Sequence, residues 1–151
     1  MIKRILDPEE FKKVIEDIDS LFEFENENQG HYFLNHNKET IINSFGNKHI
    51  LAWDMYVWAN HNGENYDAVI MFFNEKSAKF NERIFAEYLW LSKNPKMGHK
   101  LFKEATDFAR QQRFKYITMC RVMKHPHSHG VMKFYEKMGF VKDVETFIAK
   151  L

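Results

Sequence analysis

The stretch "NPKMGHKLFKEATDFARQQRFKYITM", from Asn94 to Met119, contains the start of a helix and the strand that follows it. Asn94 and Pro95 suit the N-cap and the first position of a helix. Apolar residues then recur at helical spacing, with charged residues opposite them: Met97, Leu101, Phe102, Ala105, Phe108 and Ala109. Because the β-like runs "RIFAEYLWLS" (83–92) and "KYITMCRVM" (115–123) flank this helix, the stretch predicts a strand–helix–strand unit.

A hairpin is predicted upstream of this unit. The runs "HILAWDMYVWA" (49–59) and "YDAVIMFFN" (66–74) are aromatic and β-branched, and Asn62-Gly63 lies between them. Asn-Gly is a strong signal for a tight turn, so the two strands are predicted to be antiparallel neighbours.

The two ends of the chain add further elements. "IKRIL" (2–6) reads as a first strand, and a helix follows from Pro8 to about Phe22, after an Asp7 N-cap. A second, shorter helix is predicted over 38–45, and the polar segment before it reads as a loop. Further elements are a helix over 128–138, stopped by Gly139, and a final strand over 143–151.

The predicted order is β-α-α-β-β-β-α-β-α-β, which indicates an α/β fold with a mixed central sheet flanked by helices, parallel in its C-terminal part. At 151 residues, the chain is predicted to form a single domain over 1–151. Hydrophobic residues make up 44% and aromatic residues 16% of the chain, enough for a substantial core. No apolar run approaches the ~20 residues that a membrane-spanning helix needs.

The single cysteine and the N-terminal sequence favour a cytoplasmic protein. Cys120 cannot form an internal disulfide, and "MIKRILDPEEF" lacks the apolar stretch of a secretory signal. No partner base for Cys120 is identifiable, so the sequence favours a buried strand position for it over a catalytic one.

Charge is distributed unevenly along the chain. Residues 1–91 carry 9 Lys/Arg against 16 Asp/Glu, a formal charge of −7, whereas residues 92–142 carry 12 against 3, a formal charge of +9. This asymmetry suggests an anionic ligand for the basic part and tolerates a cationic one beside the acidic part. Charge alone slightly favours the alternative, two ordinary solvated faces.

The start of the helix at Asn94 has features of an anion site. The N–H groups around Lys96, Met97, Gly98 and His99 are predicted to be free and to face outward together, where the helix dipole favours phosphate oxygens. Gly98 would permit close backbone approach, and nearby lysines (Lys93, Lys96 and Lys100) would raise the potential. An ordinary helix start with basic residues is the alternative.

"SHGVMKFYEKMGF" (Ser128–Phe140) resembles the late helix of the GNAT superfamily of acetyl-CoA-dependent N-acyltransferases, through Ser128, Val131 and "FYEKMGF". The order of elements is similar to that of the superfamily over the whole chain. The chain also looks similar to short GNAT proteins encoded in tailed-phage genomes. "PKMGHKLF" falls where the superfamily has its pyrophosphate loop, with Gly98 at its last small position. Lys93 and Lys96 stand where Gln/Arg and Gly are usual, and Ser128 replaces the usual Asn.

The resemblance implies an N-acetyltransferase in which a primary amine attacks the thioester of acetyl-CoA directly. It implies Tyr135 as the acid for the departing thiolate and Glu87 as the base; Glu82, Asp54, His31 or a water are alternatives for the base. The implied cosubstrate contacts are Leu91, Ser92, Lys93, Lys96, Met97, Gly98, His99, Lys100 and Ser128. The implied contacts to the acceptor amine are His31, Tyr32 and Phe33.

Other functional classes are compatible with the sequence. One is a catalytically silent GNAT-fold binding module. Another is a nucleic-acid-binding protein, although the chain has no recognisable nucleic-acid motif. The alternating histidines His125, His127 and His129 do not converge on a metal without further ligands, so no metal is expected. No membrane association is expected, and a homodimer is compatible with the sequence.

Overall fold

The computed structural model describes residues 1–27, 36–47, 54–76, 82–121, 127–143 and 149–150. Within them the elements are β1 (Ile2–Ile5), α1 (Pro8–Asp17), α2 (Asp19–Glu27), α3 (Lys38–Ser44), β2 (Met55–His61), β3 (Tyr66–Lys76), β4 (Arg83–Ser92), α4 (Pro95–Gln111), β5 (Tyr116–Thr118) and α5 (Ser128–Lys137). The predicted final strand falls largely outside the described residues, as do positions 49–53 of the first hairpin strand.

The five strands form one sheet in the order β1-β2-β3-β4-β5. Neighbouring strands are antiparallel except β4 and β5, which are parallel. The mixed α/β sheet predicted from the sequence is therefore confirmed, and so is the hairpin of β2 and β3. Gly63 adopts φ +113° in its turn, a conformation that favours glycine.

The chain divides into two compact units. The first contains Met1–Leu21 and Asn37–Met119, and the second contains Phe22–His36 and Cys120–Leu151. The first therefore includes the whole sheet with α1, α3 and α4, and the second includes α5.

Helices cover both faces of the sheet in the first unit. Successive side chains of a strand point to opposite faces. On β1, Lys3 forms an ion pair with Glu10 of α1, whereas the guanidinium of the next residue, Arg4, lies 4.5 Å from the ring centre of Phe108 on α4. The two helices thus lie on opposite faces. The α4 face is covered largely by aromatic rings: Tyr56, Trp58, Phe72, Phe85, Phe108 and Phe114.

The first predicted helix is interrupted. It was expected to run to about Phe22, but α1 ends at Asp17 and α2 begins at Asp19. The Asp17 carboxylate accepts a hydrogen bond from the backbone N–H of Tyr66 at 2.9 Å, which fastens the end of α1 to β3. Ile18 then forms a turn and remains completely buried, so the chain changes direction while the large apolar side chains of α1 stay covered.

A β-bulge interrupts β4. Leu89 pairs with Met71 and Glu87 pairs with Phe72, so Tyr88 is an extra residue on β4. The bulge shifts the alternation of side chains. As a result Phe85 and Trp90, five residues apart, both contact rings of α4. Regular alternation along the sequence of β4 predicts that Glu87 shares one face with both Phe85 and Leu89. That prediction is wrong, because the bulge places Phe85 and Leu89 on opposite faces.

The strand β5 is shorter than predicted. A strand was expected over 115–123, but pairing with β4 covers only Tyr116 to Thr118 and ends opposite Ala86, where the bulge begins. Bulges commonly end strand pairing in this way. Cys120 lies beyond the strand and is exposed, so its predicted burial is wrong.

The second unit contains the C-terminal helix. It ends as the sequence predicts: Gly139 adopts φ +84°, its N–H bonds to the carbonyl of Glu136, and the N–H of Phe140 bonds to the carbonyl of Tyr135. These two bonds form a Schellman motif, which satisfies carbonyls at the helix end. The rings of Tyr135 and Phe140 lie 5.3 Å apart.

Candidate functional site

The junction of β4 and α4 is held by hydrogen bonds of Ser92 and Asn94. The Ser92 hydroxyl donates to the carbonyl of Asn94 at 2.6 Å and accepts from its N–H at 3.1 Å. The Asn94 side chain accepts from the N–H of Lys96 at 2.9 Å, and its carbonyl accepts from the N–H groups of Met97 and Gly98. These three amides were predicted to be free. That prediction is wrong, since the N-cap residue already satisfies them.

No described residue neutralises the positive charge at this junction. Lys93, Lys96 and Lys100 are exposed, and none of them forms an ion pair with a described residue. Further along α4, by contrast, Asp107 pairs with both Lys103 and Arg110. Lys103 is the main cause that lowers the pKa of the Asp107 carboxyl. The uncompensated charge is therefore concentrated at the N-terminal end of α4, where the helix dipole also favours an anion.

Gly98 faces the sheet. It is buried, and a Cβ at this position would lie 3.3 Å from Nε1 of Trp90 and 3.4 Å from Cβ of Ser92. The absence of a side chain thus allows α4 to approach β4 closely, a role that the sequence did not reveal. Of the other predicted cosubstrate contacts nearby, Leu91 is buried, Met97 is half-buried and His99 is exposed.

Glu87 is half-buried and lies at the bulge, one residue beyond the last pairing of β4 with β5. From there β4 continues to Ser92, beyond the end of β5. Bulges are over-represented next to active sites because they redirect side chains. Of the alternative bases, Glu82 is bonded to Lys115 at 2.8 Å and Asp54 is exposed.

Tyr135 belongs to the second unit, and its hydroxyl donates a hydrogen bond to the backbone carbonyl of Cys120 at 2.8 Å. The ring is half-buried and also contacts Phe134. Ser128, the first residue of α5, is buried. The structure therefore fixes the orientation of the Tyr135 hydroxyl within its own unit.

Several predicted residues lie outside the described part of the chain. They are the three acceptor contacts, His31, Tyr32 and Phe33, together with His125. His127 directly precedes α5 and His129 lies in its first turn, both exposed. Among the described residues no group of three or more His, Cys, Asp or Glu side chains could hold a metal, and no helix there is long and apolar enough to cross a membrane.

Solved structures resemble the whole of this chain. An aminoglycoside acetyltransferase from an uncultured soil metagenomic sample, in complex with sisomicin, superposes with a TM-score of 0.69 and 14% identity, over 100% of this chain and 95% of that one. The ribosomal-protein-alanine N-acetyltransferase of Brucella melitensis biovar Abortus 2308 gives 0.66 and 10%, over 99% of both chains. An acetyltransferase of Trypanosoma brucei gives 0.63 and 11%, over 100% of both.

No family model and no curated protein sequence matches this chain. The similarity is thus one of fold, and the fold is that of GNAT-type acetyltransferases.

Proposed function

We propose that this protein transfers the acetyl group of acetyl-CoA to a primary amine. The observation that carries the proposal is the course of β4, which extends beyond β5 and leads directly into the basic N-terminal end of α4. The GNAT fold over the full length of the chain supports the same reaction class, as does the "FYEKMGF" segment of α5.

The junction suits the anionic part of coenzyme A, which carries a pyrophosphate and a 3′-phosphate. Lys93, Lys96 and Lys100 offer charges that no described carboxylate neutralises. Leu91, Ser92, Met97, Gly98 and His99 would surround the phosphates, and the resemblance of the "SHGVMKFYEKMGF" segment implies Ser128 as a further contact. Because the amides of the first turn are engaged by Asn94, we expect the lysine side chains to provide most of the attraction.

The extended amide-bearing arm of the cosubstrate would follow the outer edge of β4 toward the bulge. A neutral amine would then attack the thioester carbonyl, forming the new C–N bond and a tetrahedral oxyanion. Collapse of this intermediate breaks the C–S bond and releases the thiolate of coenzyme A. Glu87, directly or through a water, would accept the proton that the amine nitrogen loses.

Tyr135 would protonate the departing thiolate. Its hydroxyl hydrogen is directed at the Cys120 carbonyl, so the hydroxyl must rotate about its C–O bond to deliver the proton. The carbonyl therefore holds the acid in a defined position until the thiolate appears. Transfer to a positioned thiolate costs little rearrangement because only one hydrogen bond is exchanged.

A catalytically silent binding module is the second candidate. The engaged amides of Lys96, Met97 and Gly98 favour it, since they reduce the number of donors available to phosphate. Such a protein would bind coenzyme A thioesters, or another anion, without turnover.

Thermal unfolding with acetyl-CoA, coenzyme A and ATP at matched concentrations tests the binding that both candidates share. At 100 times its dissociation constant, acetyl-CoA should add about 2.7 kcal/mol, a shift of several degrees for a chain of this size. We expect coenzyme A to stabilise comparably and ATP to have a much smaller effect. No shift with millimolar acetyl-CoA would rule out the proposed cosubstrate.

A further inference from the structure

An aromatic pair occupies the sheet face opposite α4, at the bulge. The rings of Phe73 and Tyr88 lie 6.2 Å apart in a T-shaped arrangement, and both are half-buried. Phe73 follows Phe72, which stacks on Phe85 toward α4, so the alternation of β3 directs Phe73 to the other face. Tyr88 is the extra residue of the bulge and directly follows Glu87.

A carboxylate lies on the same face. Glu75 is two residues beyond Phe73 on β3, in a regular part of the ladder, and pairs with Ile84. This spacing places Glu75 about 7 Å from Phe73 along the strand. Glu75 is half-buried, yet it makes no ion pair or hydrogen bond with any residue in the described part of the chain. Burying even part of a charge without a partner is costly.

A cation on the neighbouring strand points elsewhere. The guanidinium of Arg83, near the start of β4, lies 4.2 Å from the ring centre of Phe114 and donates to the carbonyl of Gln112. Both contacts are on the α4 side of the sheet. Two partly exposed rings therefore share one face with a carboxylate that has no partner among the described residues. This arrangement suits an ammonium group, because aromatic faces and carboxylates both attract it.

We propose that Phe73, Glu75 and Tyr88 form a subsite for a second, positively charged amine of the acceptor, which would make the acceptor a diamine or polyamine. The inference rests on the proposed acetyl transfer. One amine reacts in its neutral form near Glu87, while another stays protonated against the two rings and Glu75. The acidic character of residues 1–91, with a formal charge of −7, favours such an acceptor at longer range.

The test compares cadaverine with pentylamine, which has the same carbon chain and one amine fewer. The ratio of their kcat/KM values, at saturating acetyl-CoA, measures what the second amine contributes. In Tyr88→Leu and in Glu75→Gln the ratio of cadaverine to pentylamine should fall about 2- to 30-fold, mainly because the KM for cadaverine rises. Tyr88→Phe keeps the ring and should retain most of the preference for cadaverine over pentylamine.

Glu64→Gln is the matched control, because Glu64 is an exposed carboxylate in the hairpin turn, and it should retain the parental ratio. If Tyr88→Leu folds poorly, Phe73→Leu tests the other aromatic ring of the proposed subsite. If the parent acetylates amines but the ratio is near one, or is unchanged in Tyr88→Leu and Glu75→Gln, the subsite is refuted while the acetyl transfer stands. If the parent acetylates no amine, the proposed function itself fails and the subsite with it.

Discussion

Trp90 and Gly98 show how one contact can determine the approach of a helix to a strand. The space in which a Cβ of Gly98 would lie is bounded by the Trp90 indole and the Ser92 side chain. Glycine costs up to about 1 kcal/mol in a helix relative to alanine, so its presence here reflects a steric need. The same residue was selected from the sequence for a different reason, the approach of a phosphate.

Gly98→Val should therefore destabilise the fold. The larger side chain would press on Trp90, and overpacking of this kind typically costs about 1–3 kcal/mol. Gly130→Val is the matched control, since a Cβ on Gly130 of α5 meets no atom within 4 Å. Chemical denaturation of both variants measures the difference. Equal losses of stability would show that the close packing of Gly98 on β4 is not what requires glycine.

At the scale of elements, α4 carries two kinds of lysine. Lys96 and Lys100 near its start are exposed and form no ion pair with a described residue, whereas Lys103 is bonded to Asp107 at 3.1 Å. The first kind is available to an anionic ligand, and the second is already partly neutralised. A substitution that removes one charge at either place changes the net charge equally, so the two can be compared directly.

Lys96→Gln and Lys100→Gln should each weaken acetyl-CoA binding about 2- to 5-fold, the effect of one exposed ion pair. Lys103→Gln should change the affinity much less. The difference should shrink as salt is raised from low ionic strength, because exposed charges are screened. Calorimetric titration at two salt concentrations makes the measurement. An equal effect of all three substitutions would indicate only a general attraction by net charge.

Elements with local signals were predictable from the sequence, and those that depend on tertiary pairing were not. Asn62-Gly63 identifies its hairpin, and Gly139 identifies the end of α5, because both need a backbone conformation that glycine favours. The bulge at Tyr88 has no such signal. Its position depends on how β3 and β4 pair, so the faces of Glu87 and Leu89 could not be read from alternation alone.

The candidate site was predictable in part for the same reason. Charge and helix spacing located the basic start of α4. The engagement of its amides by Asn94 depends on side-chain geometry. Glu75 and Tyr88 were missed because a single Glu or Tyr in a strand has no distinctive pattern. The half-burial of Glu75, without a partner in the part of the chain that the structure describes, appears only in the folded structure.

At the scale of the whole molecule, one polar cluster connects three elements of the first unit. The carboxylate of Glu10 on α1 accepts a hydrogen bond from the Tyr66 hydroxyl of β3 at 2.6 Å and forms an ion pair with Lys3 of β1. Lys3, and then Tyr66, hold the pKa of Glu10 below its ordinary value of 4.5. Burial, followed by the bond to Glu10, raises the pKa of Tyr66.

This cluster should make the free energy of unfolding depend on pH in the acidic range. A carboxylate whose pKa is lowered by folding stabilises the protein above its unfolded pKa, and that contribution is lost as the pH falls through the folded pKa. The free energy of unfolding should thus decrease below about pH 4.5 more steeply in the parent than in Glu10→Gln. Denaturation curves from pH 7 to pH 3 measure both slopes, with Glu9→Gln as control, since Glu9 is exposed in the same turn. Parallel slopes for parent and Glu10→Gln would contradict the assignment.

The acetyl transfer itself is tested most directly by mass spectrometry of the products. Purified protein is incubated with acetyl-CoA and a panel of amines (cadaverine, sisomicin and a peptide with a free N-terminal alanine), and acetylated amine and free coenzyme A are quantified together. We expect equal amounts of the two products for at least one amine. In Tyr135→Phe we expect a rate about 10²-fold lower, the low end for a lost general acid. An absence of acetylated amine across the panel, with acetyl-CoA bound, would contradict catalysis and favour the binding module.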